Sequence, residues 1–395
     1  MPTLVRCAGP DGPGITAAVL TAVDAAGAVL LEMDQLVVRG RLTLDLLVEA
    51  ADDAALADGL TAVAAERGLD VGLEPGPDGG SVPAAPVSGA VVTVMAERLG
   101  AAPLAAVTGA IATSGGNIAR IQRLAHRPVC AFEFHVAGGD PATLRSVLVD
   151  AAAAHGVDVA VQADRLGRLR RLVVLDVDST LIRDEVIELV AAEVGCEAEV
   201  AAITARAMAG ELDFEQSLRA RVALLAGAPV AALDAAAARL RLTPGARTLV
   251  RTLHRLGLVV AVVSGGFDHV VVPLAEGLGI RHAAANRLEV VDGRLTGGLV
   301  GPVLDRAGKA RELRRIAAAE GVPLEQTVAI GDGANDLDMI AAAGLGVAFN
   351  AKPAVRAAAD TSVSVNRLDA VLFLLGVHAD EVEADPDDDA VAAVA

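Results

Sequence analysis

The sequence predicts an α/β protein: a parallel-sheet core bearing a small helical cap, preceded by two βαββαβ units. Three observations predict it. LVVLDVDSTL (Leu172–Leu181), VVAVVSGGF (Val259–Phe267) and TVAIGDGANDLDMI (Thr327–Ile340) each begin as an apolar, β-branched run and end in an acidic or Gly-rich loop, the pattern of strands buried in a parallel sheet. Upstream of them, one order of elements occurs twice within residues 1–165. Between Asp178 and Ser264 lie more than eighty residues, too many for a simple crossover, and the insert reads as helices.

The elements follow in order. In residues 1–75, TLVRCAGPDGPGITAAVLTAVDAAGAVLLEMDQLVVRGRLTLDLLVEA reads strand, Gly/Pro turn, helix, strand, turn, strand. DDAALADGLTAVAAERG and DVGLEP close the unit as helix and strand. A linker rich in Gly and Pro covers Gly76–Gly89. In residues 90–165 the order recurs: VVTVMAERL, the helical PLAAVTGAIATSGG, the strands NIARIQRLA and CAFEFHVAG, the helical DPATLRSVLVDAAAAHG, and VDVAVQ. A βαββαβ repeat of this size is ferredoxin-like. With Leu36 set against Leu124, Gly14 meets Ala102, and RLGAAPL stands where the first repeat has its PDGPG turn, Pro10–Gly14. The core spans 170–379, with the cap at about 184–243. Asp292-Gly293, between short β-like runs in Ala285–Gly301, signals a hairpin. The acidic segment 380–395, with its proline, is expected to be disordered.

Composition excludes several classes of function. Hydrophobic residues make up 53% of the 395, yet no apolar run is long enough for a membrane span. A net charge of −18 argues against a nucleic-acid surface, and 2% aromatics with no Trp or Tyr argue against base stacking. The acidic balance does not exclude a phosphate ester, because a local metal and a lysine outweigh a diffuse field. Cys7, Cys130 and Cys196 are few, odd in number and far apart, so no disulfide framework or zinc site follows and a cytoplasmic location is expected. MPTLVRCAGPDGPG has no apolar h-region, so no secretory signal is expected. The seven histidines form no metal-binding spacing, and His269, just after the second core strand, reads as structural.

The chemistry gathers in the three core segments. Asp176 and Asp178 sit where a buried strand opens into a loop, so one carboxylate can attack or bind a metal while the other handles a proton. Ser264, Gly265 and Gly266 offer a hydroxyl and backbone N–H groups suited to phosphate oxygens. Lys309, near the start of a helical pattern, is a cation able to reach a phosphoryl group. Asp332, Asn335 and Asp336 add hard oxygen ligands, which imply Mg²⁺.

Strand–DxDST, strand–SGG, Lys and strand–GDGxND, in that order, resemble the haloacid dehalogenase superfamily of phosphatases, and Glu185, Met208, Phe214 and Arg221 in the cap match phosphoserine phosphatases within it. The resemblance implies a Rossmann-like hydrolase core. It implies Asp176 as nucleophile forming an aspartyl-phosphate, Asp178 as general acid and base, and Ser264, Gly265 and Lys309 holding the phosphoryl oxygens. It places Mg²⁺ on Asp176, Asp332 and the Asp178 main-chain carbonyl, with Asn335 and Asp336 supporting that shell. Glu185 would pair with a substrate ammonium, Arg221 with its carboxylate, and Met208 and Phe214 would wall the pocket. The two N-terminal repeats resemble the ACT family of small-molecule regulatory domains, which implies amino-acid binding near Gly14, with Gly100 as the candidate in the second repeat, and a homodimer. L-serine is the expected regulatory ligand and O-phosphoserine the expected substrate. Two other readings stay open: transfer of the phosphoryl group to another small alcohol, and an amino-acid sensor with a vestigial core.

Overall fold

A computed structural model describes residues 2–50, 52–76, 88–163, 170–209 and 211–390 of the chain. The chain separates into two compact units, residues 1–86 and 87–395. Most of the expected linker, residues 77–87, lies outside the described residues.

The first unit contains β1 (Thr3–Pro10), α1 (Ile15–Ala25), β2 (Val29–Val38), β3 (Arg41–Glu49), α2 (Asp53–Arg67) and β4 (Asp70–Pro75). Its strands form an antiparallel sheet in the order β2-β3-β1-β4. Period-two alternation puts Leu42, Leu44 and Leu46 of β3 and Val5 and Cys7 of β1 on one face, buried with Val19, Leu56 and Leu60 of the two helices. The edge strand β2 is exposed at every position, Val29, Met33, Leu36 and Val38 included. Gly14 ends the PDGPG turn as the N-cap of α1 with φ of +85°, a left-handed conformation that only glycine adopts freely.

The second unit opens with the second repeat: β5 (Ser88–Ala96), α3 (Ala101–Thr113), β6 (Asn117–Ala125), β7 (Cys130–Ala137), α4 (Pro141–His155) and β8 (Asp158–Ala163), in sheet order β6-β7-β5-β8. Its N-cap glycine is Gly100, in extended conformation. Gly100, and not Ala102, is therefore the structural counterpart of Gly14; the register set on Leu36 and Leu124 slips by two residues at this turn. The repeat also packs against the core that follows it. Val92, Val94, Phe134 and Val136 face α3 and α4, while Met95, Ala131 and Ala160 on the other face join one buried cluster with Val363, Leu368 and Leu374 of the core. A sheet that is apolar on both faces must be covered on both. Asp158 seals this contact, accepting hydrogen bonds from the Ser364 N–H (2.7 Å), Ser364 Oγ (2.9 Å) and Ser362 Oγ (3.1 Å).

The core begins with β9 (Leu172–Leu175). The cap follows as α5 (Val186–Val194), α6 (Glu197–Met208), α7 (Phe214–Ala223) and α8 (Ala231–Ala237). The chain then runs α9 (Ala246–Arg255), β10 (Val259–Phe267), α10 (Asp268–Gly277), β11 (His282–Val291), β12 (Arg294–Val300), α11 (Arg306–Ala319), β13 (Thr327–Gly331), α12 (Leu337–Ala342), β14 (Leu345–Phe349), α13 (Pro353–Ala358), β15 (Thr361–Val363), α14 (Val371–Leu374) and α15 (Pro386–Ala390). The seven-stranded sheet has the order β12-β11-β10-β9-β13-β14-β15, and only β12 is antiparallel. Asp292 (φ 49°) and Gly293 (φ 73°) make the β11–β12 turn. Two connections tie cap to core, joined by a bridge between Ile182 and Leu242 and by Asp184, which accepts the Arg241 N–H at 2.9 Å and its guanidinium. His269 meets Asp234 of α8 at 3.0 Å, a contact between helices.

As far as it is described, the acidic tail lies against α9. α9 presents Arg251 to Glu383 (2.7 Å) and Asp385 (3.1 Å), while Thr252 Oγ1 and Thr248 Oγ1 accept the Glu383 and Asp385 N–H groups. The Asp388 carboxylate accepts the Thr248 N–H at 2.7 Å. It thus serves the first turn of α9, whose own N-cap, Gly245, has no side chain. The tail's carboxylates thus meet a cationic helix 132 and 134 residues upstream.

Candidate active site

β10, β9 and β13 are neighbours and parallel, so their carboxyl ends bring three loops to one edge of the sheet, the place where open α/β sheets bind ligands. After β9 the chain turns through Val177–Leu181, with Ser179 at φ of +57°. The turn sends the two aspartates to different partners. Asp176, almost fully buried, lies 2.7 Å from Lys309 Nζ and accepts the Val177 N–H at 2.7 Å. Asp178 accepts Ser264 Oγ at 3.0 Å and the Val186 N–H at 2.8 Å. Ser264 Oγ in turn accepts the Gly266 N–H at 2.8 Å. A Cβ at Gly266 would stand 3.0 Å from Asp178 Oδ2, and one at Gly265 3.2 Å from the Phe214 ring, so both glycines keep the loop close to its neighbours.

Lys309, on α11, is wholly buried between Asp176 and Asp336, each at 2.7 Å. Burial opposes its charge, but the two carboxylates hold its pKa above the ordinary lysine value. Asp336 also accepts the Gly333 N–H at 3.0 Å, and Asp332 accepts Thr180 Oγ1 at 3.3 Å. Asp176, Asp332 and Asp336 offer oxygens within 4.8 Å of one another. With all three ionised, these carboxylates would exceed the one ammonium of Lys309 by two charges. Burial, then the charge of Asp336, pushes Asp176 well above the usual carboxylate range and Asp332 up to about 6. A divalent cation would balance that excess, and an all-oxygen donor set suits Mg²⁺, so the residues present fit the metal.

A cavity of about 500 Å³ opens over this group. Asp176, Asp178, Gly265, Asp332 and Asn335 line it from the core, and Glu185, Phe214 and Arg221 from the cap segment. Ser264, Lys309 and Asp336 are buried and do not line it. Met208 ends α6, and its side chain lies outside the described residues. Glu185 accepts Ser179 Oγ at 2.8 Å; burial, then the nearby Asp178 charge, raises its pKa to about 7. Arg221 donates from Nε to the Ser217 carbonyl at 3.4 Å, and burial lowers its pKa against the pull of Glu185 and Asp178. Burial raises Asp178 as well.

Sequence reasoning missed three contributors. Asn286 is buried in β11; its Nδ2 donates to the Gly265 carbonyl at 2.8 Å and its Oδ1 accepts the Leu304 N–H at 2.7 Å, fixing the Ser-Gly-Gly loop from the neighbouring strand. Thr180 belongs to the DxDST segment itself and orients Asp332 across the site. Arg306 lines the cavity one helical turn before Lys309, and that three-residue spacing was the signal available. Asp305 and Asp360 take structural roles: Asp305 caps α11 through the Gly308 N–H at 2.7 Å, and Asp360 accepts the Gly346 N–H at 2.8 Å.

Fold and site together define a Rossmann-like α/β core with a helical cap and an acidic, oxygen-rich centre at its carboxyl edge. Residues 173–341 match the haloacid dehalogenase-like hydrolase family, and residues 2–74 and 88–162 each match an ACT domain family. The chain is 55% identical to a phosphoserine phosphatase of Streptomyces coelicolor over 97% of its length and 94% of that protein's. It is 48% identical to one of Mycobacterium tuberculosis over 96% of its length and 94% of that protein's. A solved structure described as a phospho-aspartyl intermediate analogue of phosphoserine phosphatase is 47% identical, with a TM-score of 0.50, over 52% of this chain and 98% of that one. The chain belongs to the phosphoserine phosphatases of the haloacid dehalogenase-like hydrolases, in a form that carries two ACT domains.

Proposed function

We propose that this phosphatase hydrolyses O-phospho-L-serine to L-serine and phosphate through an aspartyl-phosphate on Asp176, with Mg²⁺ bound, as the last step of L-serine biosynthesis. The observation that carries the reading is one cavity with Asp176 and Asp178 on its core side and Glu185 and Arg221 on its cap side, matching a substrate with a phosphate at one end and an ammonium and carboxylate at the other. An Asp176 oxygen attacks phosphorus, the P–O bond to the serine side chain breaks, and Asp178 gives the leaving alkoxide its proton. The raised pKa of buried Asp178 favours holding that proton until it is needed. Asp178 then takes a proton from the water that attacks phosphorus, releasing phosphate and restoring Asp176. Lys309 and the Gly265 N–H meet charge on the phosphoryl oxygens, and Ser264, now bonded to Asp178, is the hydroxyl at hand for them. Asp176, Asp332 and the Asp178 main-chain carbonyl, supported by Asp336 and Asn335, would hold Mg²⁺, which would supply further neutralisation of that charge.

Glu185 takes the ammonium and Arg221 the carboxylate, with Phe214 excluding water. The solved relative described as a phospho-aspartyl intermediate analogue supports the covalent step. The ACT repeats bind L-serine near Gly14, with Gly100 at the equivalent turn of the second repeat, and lower activity as the product accumulates. The exposed apolar edge strand β2 supports pairing with a second copy. Phosphate release from a panel of phosphomonoesters tests the reading. Phosphoserine should be turned over with the highest kcat/KM; equal turnover of esters lacking the ammonium or carboxylate would sink the assigned specificity.

A further inference from the structure

We infer that Arg306 is a substrate-recruiting residue at the rim of the catalytic cavity, drawing in the anionic ester before Lys309 and the cap engage it. The inference rests on the phosphoserine reading. The chain carries a net charge of −18, and the cavity is lined by Asp176, Asp178, Glu185 and Asp332. Its cations are unevenly placed. Lys309 is wholly buried and held by Asp176 and Asp336, and Arg221 sits partly buried on the cap segment. On the core side, Arg306 is the cation that both lines the cavity and meets solvent, at 50% side-chain exposure. It is the first residue of α11, and Lys309 lies three residues on, so one face of the helix sends one cation to the rim and one below the floor.

Arg306 is held in place by Asp338, at the start of α12: Nε lies 2.7 Å and Nη2 2.5 Å from the same Asp338 oxygen. That leaves Nη1 without a protein partner among the described residues. A half-exposed ion pair of this kind adds little stability, so its placement at the cavity mouth points to a role in electrostatics. It acts on approach and orientation and does not touch the reacting atoms.

The test is steady-state kinetics of the full-length enzyme with Mg²⁺ and phosphoserine, across a salt series. Arg306→Ala should lower kcat/KM about three- to tenfold in low salt with kcat nearly unchanged. The gap should close toward 0.5 M salt as the screening length shrinks to a few ångströms. Arg306→Lys should recover most of the loss, and Arg306→Glu should deepen it. Asp338→Asn separates recruitment from a merely structural tie between α11 and α12. It breaks the same ion pair while leaving the cation, so it should keep or raise kcat/KM in low salt. The proposal is overturned if Asp338→Asn loses as much as Arg306→Ala, if the loss falls on kcat, or if it persists unchanged in high salt. A wild type that does not hydrolyse phosphoserine at all would refute the functional reading itself, a different result from any of these.

Discussion

At the scale of single residues, the site works by placing like charges closer than water would allow and then sharing few cations among them. Asp176 depends on Lys309, and Lys309 is shared with Asp336. On the proposed covalent route, Asp176→Asn should lower phosphate release by several orders of magnitude while circular dichroism stays that of wild type. Wild type treated with beryllium fluoride should carry the adduct on Asp176, and an adduct elsewhere would refute the nucleophile. Glu185 makes a prediction in pH. With its pKa near 7, raised first by burial and then by Asp178, it is largely protonated at pH 6 and charged at pH 8. A raised carboxyl pKa means the ammonium-binding form is gained as pH rises, so kcat/KM for phosphoserine should climb through about pH 7. Glu185→Gln should lose that limb and lower kcat/KM for phosphoserine by tens- to thousandsfold, in line with a cost of about 2–5 kcal/mol for unpairing a desolvated charge. An ester lacking the ammonium should lose much less. Equal losses on both, with the limb retained, would make Glu185 a structural residue.

At the scale of elements, α9 depends on a partner distant in sequence for its first turn. Gly245 has φ of +79°, and a Cβ there would lie within 3 Å of Asp369, so the position cannot carry a capping side chain. Asp388 supplies the acceptor instead, and the Arg251 pairs with Glu383 and Asp385 lay the tail along the helix. Asp388→Ala should cost about 1 kcal/mol, the usual worth of an N-cap, read as a lower urea midpoint with an unchanged slope. No change in midpoint would mean that the tail lies on α9 without supporting it.

At the scale of the whole molecule, the excess of carboxylates over cations at the centre links metal and stability in the proposed reading. On the proposed reading Mg²⁺ would bind the folded site and not the unfolded chain, so adding it should raise Tm, and a chelator should abolish turnover and reverse the rise. Turnover that survives complete metal removal would refute the role of Asp332. The ACT repeats carry the second global prediction: L-serine should bind outside the active site, measurable by calorimetry, since the chain has no Trp or Tyr to report it. Gly14→Asn is the sharper probe. Asn tolerates positive φ far better than a β-branched residue, and a Cβ at Gly14 meets nothing within 4 Å, so the side chain would enter open space at the proposed ligand position. Serine inhibition should weaken while basal turnover stays intact. If the variant is inhibited as strongly as wild type, and purely in competition with phosphoserine, the repeats are not serine sites.

Local chemistry was legible wherever it was written into consecutive residues. The alternation of Leu42, Leu44 and Leu46, the Asp292-Gly293 turn, and the strand-to-loop endings at Asp176, Ser264 and Asp332 could be read from the chain alone, because strand period and turn conformation are properties of neighbours. The order of motifs along the chain carried the candidate chemistry for the same reason. What depended on residues far apart was not legible. Asn286 looks like any strand asparagine until β11 lies beside β10, and Arg306 looks like a solvated helix arginine until the cap closes the cavity's other side. The second repeat repeats the pattern of the first, yet only packing shows that its outer face, with Met95, Ala131 and Ala160, belongs to the catalytic unit. The acidic tail reads as solvated because composition cannot show an arginine helix waiting to receive it. Sequence alone determined the elements and the candidate reactive groups they carry; tertiary structure decided which groups share a charge, a hydrogen bond or a buried face, since those energies exist only between surfaces that folding brings together.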